Sequence, residues 1–170
     1  MLNSQLKFNK AWLILFIIFL QACGSSKTLI LHKPEVKTNV KNINIVSNTS
    51  TAELPLEYQK VFEKKLQDQL YKNKKQSFQQ GQDLTASYRF IQFDEGSRFA
   101  RWLVGGIGNA GEGSMTVETT FLDINGKEVG KVQTEGKIGS GFFGGSISSA
   151  VEKASEALAT YIQKEFYSKS

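Results

Sequence analysis

Residues 115–124 (MTVETTFLDI) and 127–138 (KEVGKVQTEGKI) are separated by the single dipeptide Asn125-Gly126. Asn-Gly accepts positive φ at both central positions of a two-residue type I′ turn, whose twist matches that of two antiparallel strands. The two runs are therefore expected to form an antiparallel hairpin.

Other segments supply the material to pack with it. Residues 83–93 (DLTASYRFIQF) alternate Leu84, Ala86, Tyr88 and Phe90 with Thr85, Ser87, Arg89 and Ile91, a strand with one apolar face. Residues 40–46 place Ile43 and Ile45 at period two between Asn-rich flanks, a second strand. Between these the period changes: Leu54, Tyr58, Phe62, Leu66 and Leu70 recur every four residues with Val61 beside them, and Glu and Lys fill the opposite face. This pattern predicts an amphipathic helix over 54–75, with Pro55 at the first helical position, Glu57 in the positive first turn and Lys72, Lys74 and Lys75 at the other end. The Lys-rich face reads as solvated surface, with no site assigned to it. A second helix is expected to open with a capping box at Ser149–Glu152 and to bury Val151, Ala154, Leu158, Tyr161, Ile162 and Phe166. The order of elements implies an α+β fold, with an antiparallel or mixed sheet of about four strands and two helices packed on one face.

The first 22 residues have a different character. Lys7 and Lys10 precede the uncharged run AWLILFIIFL, and Gln21-Ala22-Cys23 follow, which is the layout of a signal peptide. Ten to twelve apolar residues rise only about 15–18 Å as a helix, against a hydrocarbon core of about 30 Å, so cleavage is favoured over a membrane span. Leu20-Gln21-Ala22-Cys23 resembles the bacterial lipobox. By that resemblance the peptidase removes residues 1–22, and Cys23 receives a diacylglyceryl thioether and a further acyl chain, enough for stable anchoring. Gln21 departs from the usual small residue, and a free cysteine near an ordinary cleavage site is the alternative. Gly24, in place of Asp, resembles the signal for outer-membrane sorting. The chain thus divides into a signal peptide (1–22), a lipidated N-terminus and tether (23–35) and one domain (36–170). Within the tether, Leu29-Ile30-Leu31 offers a short edge strand as an alternative, and the lone His32 reads as solvated.

Charge and composition narrow the function. The full chain carries 21 Lys plus Arg against 16 Asp plus Glu. Losing residues 1–22 removes Lys7 and Lys10, leaving 148 residues with 19 cations against 16 anions, a net +3. That is too mild and too scattered for a nucleic-acid footprint. One His and one Cys weaken every mechanism that needs a His/Cys metal cluster, a disulfide framework or a Ser-His pair. A domain of this length buries about 68–70% of its unfolded surface, so it requires no metal for stability.

Twelve of the 15 glycines lie between Gly105 and Gly145, in the segments GGIGNAGEG and GSGFFGG and the hairpin between them. Both segments contain G-x-G-x-x-G. The first leads into a strand, whereas a dinucleotide turn must open a helix. The second precedes a helix, but the chain ends before the next strand and its ribose-binding acid could follow. Nucleotide binding is therefore not expected. Asp94-Glu95 is an adjacent acidic pair after a strand and reads as a solvated turn. A glycosidase's two carboxylates would have to show a separation that a sequence does not display. No catalytic residue, cofactor or metal ligand is assigned. Two segments suit contact. In GSRFARWLV, Arg98 and Arg101 are interleaved with Phe99 and Trp102, and Phe142-Phe143 is flanked by glycines. Each is either an exposed docking element or a set of aromatics capping the core.

The run from Tyr88 to Gly145 resembles a bacterial lipoprotein domain of unknown function, family forty-four ten. The resemblance rests on Gly96-Ser97-Arg98 with Arg101-Trp102-Leu103-Val104-Gly105, on Phe121-Leu122-Asp123 with Gly126-Lys127-Glu128-Val129, and on Gly139–Gly145 before an alanine-rich helix. It implies class and location, and no catalytic residue. More distantly, the element order is similar to the small α+β domain of outer-membrane lipoproteins such as the curli-secretion subunit and the penicillin-binding-protein activators, which implies a binding role. The expected function is that of an outer-membrane lipoprotein facing the periplasm, held by its lipid and acting without catalysis through an envelope protein partner or self-association. A carrier of lipid or another small hydrophobic ligand is the alternative, and an envelope hydrolase the third reading.

Overall fold

The computed structural model describes residues 25–35, 40–74, 77–96, 113–138 and 146–167. Strands β1 (Ser25–His32), β2 (Asn42–Ser47), β3 (Gln79–Gln80), β4 (Leu84–Asp94), β5 (Ser114–Asp123) and β6 (Glu128–Lys137) form one sheet in the order β1-β6-β5-β4-β2-β3. It is mixed. β2 runs parallel to β3 and β4, and the remaining pairs are antiparallel. Helix α1 (Leu56–Tyr71) connects β2 to the β3–β4 region, and α2 (Ile147–Phe166) follows β6.

The period-two pattern of β4 appears directly as alternating burial: Leu84, Ala86, Tyr88 and Phe90 are buried, and the residues between them are not. Across the register Ala86 meets Phe121 and Phe90 meets Val117, so the apolar rows of β4 and β5 share one face. Both helices cover that face. Phe62 of α1 lies with its ring centroid 5.2 Å from Tyr88 and 5.3 Å from Phe90, while Phe166 of α2 lies 4.8 Å from Phe121. Lys65 reaches Glu152 at 3.4 Å, and the Gln163 amide donates to the Gln69 carbonyl at 2.8 Å, joining one helix to the other. The Tyr88 hydroxyl donates to Glu63 at 2.6 Å, and burial together with that carboxylate drives its pKa upward. At the domain's end Val40 N donates to the Phe166 carbonyl, and Tyr167 stands edge-on to Phe78. No helix among the described residues is long and apolar enough to cross a membrane.

Helix α2 lies unusually close to β6. A Cβ at Gly136 would overlap the Ala150 carbonyl oxygen and sit 2.6 Å from Ala154 N. Together Gly136, Ala150 and Ala154 allow backbone to approach backbone.

Four expectations need correction. The sheet has six strands, not about four, and the two additional ones are β1 and β3. Every residue of β1 is exposed and β3 is the dipeptide Gln79–Gln80, so neither shows the alternation by which a half-buried strand is recognised. Residues 25–32, read mainly as tether, are therefore an edge strand much longer than the alternative of three residues. The hairpin turn is not type I′. Gly126 alone has positive φ (78°), Gly126 N donates to the Asp123 carbonyl, and Asp123 N donates to the Lys127 carbonyl. This is a type I turn closed by a left-handed glycine, a three-residue loop with a bulge. The Asp123 carboxylate, accepting from Asn125 N and Lys127 N at 2.9 Å each, favours it by holding Asn125 at negative φ. Helix α2 starts at Ile147 with Ser146 as its N-cap, so Ser149 is one turn inside and its hydroxyl donates to the Ser146 carbonyl at 2.6 Å. Helix α1 begins after Pro55 and ends at Tyr71, where Lys72 N closes on the Asp68 carbonyl.

Candidate functional site

With both helices on one face, the opposite face of the sheet carries the odd-numbered residues of β4 up to Ile91, the even-numbered residues of β5 and the odd-numbered residues of β6 from Lys131 onward. Past the bulge between Phe90 and Gln92 the parity of β4 reverses, and Phe93 packs against Tyr58. Arg89, Glu118 and Gln133 form one row across β4, β5 and β6, and Ser87, Thr120 and Lys131 form the next. Glu118 occupies the middle of this polar surface and is only 8% exposed. Its Oε1 accepts from Arg89 Nη2 at 2.7 Å, from Arg89 Nε at 3.1 Å and from Lys131 at 3.2 Å. Its Oε2 accepts from Gln133 at 3.0 Å. Burial alone would raise the carboxyl pKa. The Gln133, Arg89 and Lys131 hydrogen bonds and the Lys131 charge outweigh it, and the net shift is downward.

The sign of that shift sets a pH dependence. A depressed carboxyl pKa stabilises the fold fully above the ordinary value, here 4.5, and the stabilisation fades as pH falls below it through the native value. Urea melts of wild type and Glu118→Gln should therefore differ most near neutrality and converge as the pH drops below 4.5. A constant difference across that range would show that the ionised carboxylate is not what stabilises.

Beside the carboxylate, Asn48, Ser87, Arg89, Thr120, Leu122 and Lys131 bound a hollow of about 280 Å³ with Glu118. A second hollow of about 210 Å³ lies further along the same face, lined by Lys27, Ile91, Thr116, Gln133 and Glu135 among others. On the helical side a groove of about 410 Å³ runs past Val61, Lys65, Gln69 and Glu152. At its margin Lys64 and Lys72 each donate to Asp68 at 2.7 Å and hold its pKa down to about 2.

The sequence-predicted residues Cys23, Arg98, Arg101, Trp102, Phe142 and Phe143 lie outside the described residues, as do the glycine-rich segments apart from Gly113. The register does locate where those segments leave the sheet. Ser25, Lys137, Ser114 and Asp94 form a single cross-strand row. The chain before β1, the β4–β5 connection and the chain after β6 therefore all depart from one end. Asp94 accepts from Gly96 N at 2.8 Å there, the turn role expected of it. His32, read as solvated, is exposed at the end of β1, where its Nδ1 lies 3.1 Å from Glu128 Oε1.

Residues 31–141 match the model of the Domain of unknown function (DUF4410) family. The chain belongs to this family. The DUF4410 span takes in β2 to β6 and α1, so Arg89, Glu118, Lys131 and Gln133 all fall within it, whereas α2 and most of β1 fall outside. Among curated proteins there is no sequence match. Solved structures similar to this DUF4410 chain include two PelC dodecamers from Paraburkholderia phytofirmans. One, carrying a Leu-to-Met substitution, is 15% identical with a TM-score of 0.47 and covers 79% of this chain and 95% of its own. The other is 13% identical with a TM-score of 0.47 and covers 86% and 99%.

Sequence reading missed the Arg89–Glu118–Lys131–Gln133 cluster. Each residue stands at a polar position of its strand, and only the register brings the four together.

Proposed function

We propose that this chain is a periplasm-facing outer-membrane lipoprotein, anchored through Cys23, that acts by protein contact rather than catalysis. The observation that carries the contact reading is β1. All eight of its residues are exposed, Leu29, Ile30 and Leu31 are each close to half accessible, and among the described residues its outer edge pairs with no strand. A long apolar edge strand is a template for strand addition, by an envelope protein or by a second copy. β1 begins two residues after Cys23, so the anchor and the contact edge adjoin. Arg98, Arg101, Trp102, Phe142 and Phe143 belong to the same proposal, because their segments depart from the end of the sheet where β1 begins.

Cys23→Ser should move the protein from the membrane fraction to the soluble fraction, or leave it unprocessed with its first 22 residues attached. Recovery of wild type in the soluble fraction without detergent overturns the anchoring. A photocrosslinker at Leu29 should give one discrete adduct in cells, whose mass separates self-association from a different envelope protein. A crosslinker at Ile124, exposed at the far end of the sheet, serves as the comparison. Equal labelling at both positions overturns the β1 contact.

A further inference from the structure

We propose that the hollow between Arg89 and Lys131 binds a sugar acid, a single carboxylate carried on a polyhydroxylated ring. The layering of charge supports this. Glu118 lies beneath, nearly buried, while the Arg89 and Lys131 side chains above it are 41% and 30% exposed. Arg89 has five donors and commits two nitrogens to Glu118, and Lys131 has three donors and commits one. The buried carboxylate thus fixes two cations in position without exhausting them, and the trio keeps one net positive charge facing outward.

The rest of the lining narrows the ligand. Asn48, Ser87 and Thr120 contribute an amide and two hydroxyls, neutral groups that pair with sugar hydroxyls, and Leu122 offers an apolar wall for the C–H face of a pyranose. One net charge complements a monoanionic carboxylate. A phosphate dianion would overcompensate it and leave the neutral groups unused. The volume of about 280 Å³ falls just below the range of drug-sized sites, about 300–1,000 Å³, and suits one sugar residue rather than an acyl chain. Free sugar acid and a residue of an acidic polysaccharide present the same chemistry to this site.

The test is calorimetric titration of the membrane-extracted mature protein in detergent micelles with galacturonate, tetragalacturonate, glucose and inorganic phosphate. Saturable binding of galacturonate or its tetramer is expected, with glucose and phosphate at least about tenfold weaker, because each lacks either the charge or the ring contacts. Tighter binding of the tetramer identifies the source as a polysaccharide, and tighter binding of the monomer as the free sugar. Lys131→Gln, which keeps the Arg89–Glu118 pair intact, should weaken binding about tenfold. Lys64→Gln, on α1 behind the sheet, should leave it unchanged. Urea midpoints of both variants confirm folding. Absence of saturable binding by either acid, equal binding of glucose, tighter binding of phosphate, or unaltered affinity in folded Lys131→Gln overturns the proposal.

Discussion

Gly136→Ala should lower the stability of the fold by about 3 kcal/mol, the upper end of what overpacking of a close contact costs. The added methyl would meet the Ala150 carbonyl oxygen and Ala154 N, both backbone atoms of α2 that cannot rotate away as a side-chain tip would. The helix must then lift from β6, and the contacts of Val151, Ala154 and Leu158, all fully buried, loosen with it. Gly126→Ala is the matching control. A methyl there would meet nothing within 4 Å, but the backbone φ is 78°. The substitution should cost only the strain of a left-handed alanine, about 1–2 kcal/mol. Urea denaturation of the two variants separates packing from backbone strain, and equal losses would show that the α2–β6 approach is not tight in solution.

Phe62→Ala should cost more, about 4 kcal/mol, a large share of the roughly 5–15 kcal/mol that holds a domain of this kind together. Phe62 is fully buried where α1 meets β4, and its ring packs against both Tyr88 and Phe90. Truncation removes the transferred apolar area, leaves a cavity between two large rings that can close only partly, and forfeits two aromatic pairs worth about 0.5–1.5 kcal/mol each. For a domain of this size the melting temperature should fall by about 8–16 °C, from a loss of about 2–4 °C per kcal/mol. Leu56→Ala, on the exposed side of the same helix, should be within about 0.5 kcal/mol of wild type. A small effect at Phe62 would mean that α1 does not rely on this contact.

Both α-helices and strands β2 and β4 were legible because each shows its apolar face in its period, and β5 and β6 because Asn125-Gly126 marks the turn between them. The stripe Phe62, Leu66, Leu70 and the alternation Leu84, Ala86, Tyr88, Phe90 each state which face turns inward. β1 was not legible as a strand of eight, since an edge residue with both faces accessible has no period to display. The turn at Asn125-Gly126 was placed correctly but typed wrongly. The dipeptide permits type I′, and the deciding group was the Asp123 carboxylate two residues earlier. The polar cluster was hidden for a different reason. Arg89, Glu118 and Lys131 are scattered along the chain, and they become neighbours only through two antiparallel registers that include a bulge between Phe90 and Gln92.

The exposure of β1 has a mechanical consequence. A strand with every residue accessible buries little side-chain area, and β1 is held by its backbone hydrogen bonds to β6 and by its place beside α2, so its local opening is expected to cost less than global unfolding. Eight extended residues span about 26 Å. With the anchor proposed at Cys23, peeling β1 from β6 would convert it from strand to leash and let the remaining sheet stand off from the bilayer by up to that distance. In doing so it would exchange the edge of β1 for the edge of β6. Reach from the membrane and choice of exposed edge would then be two readings of one local equilibrium.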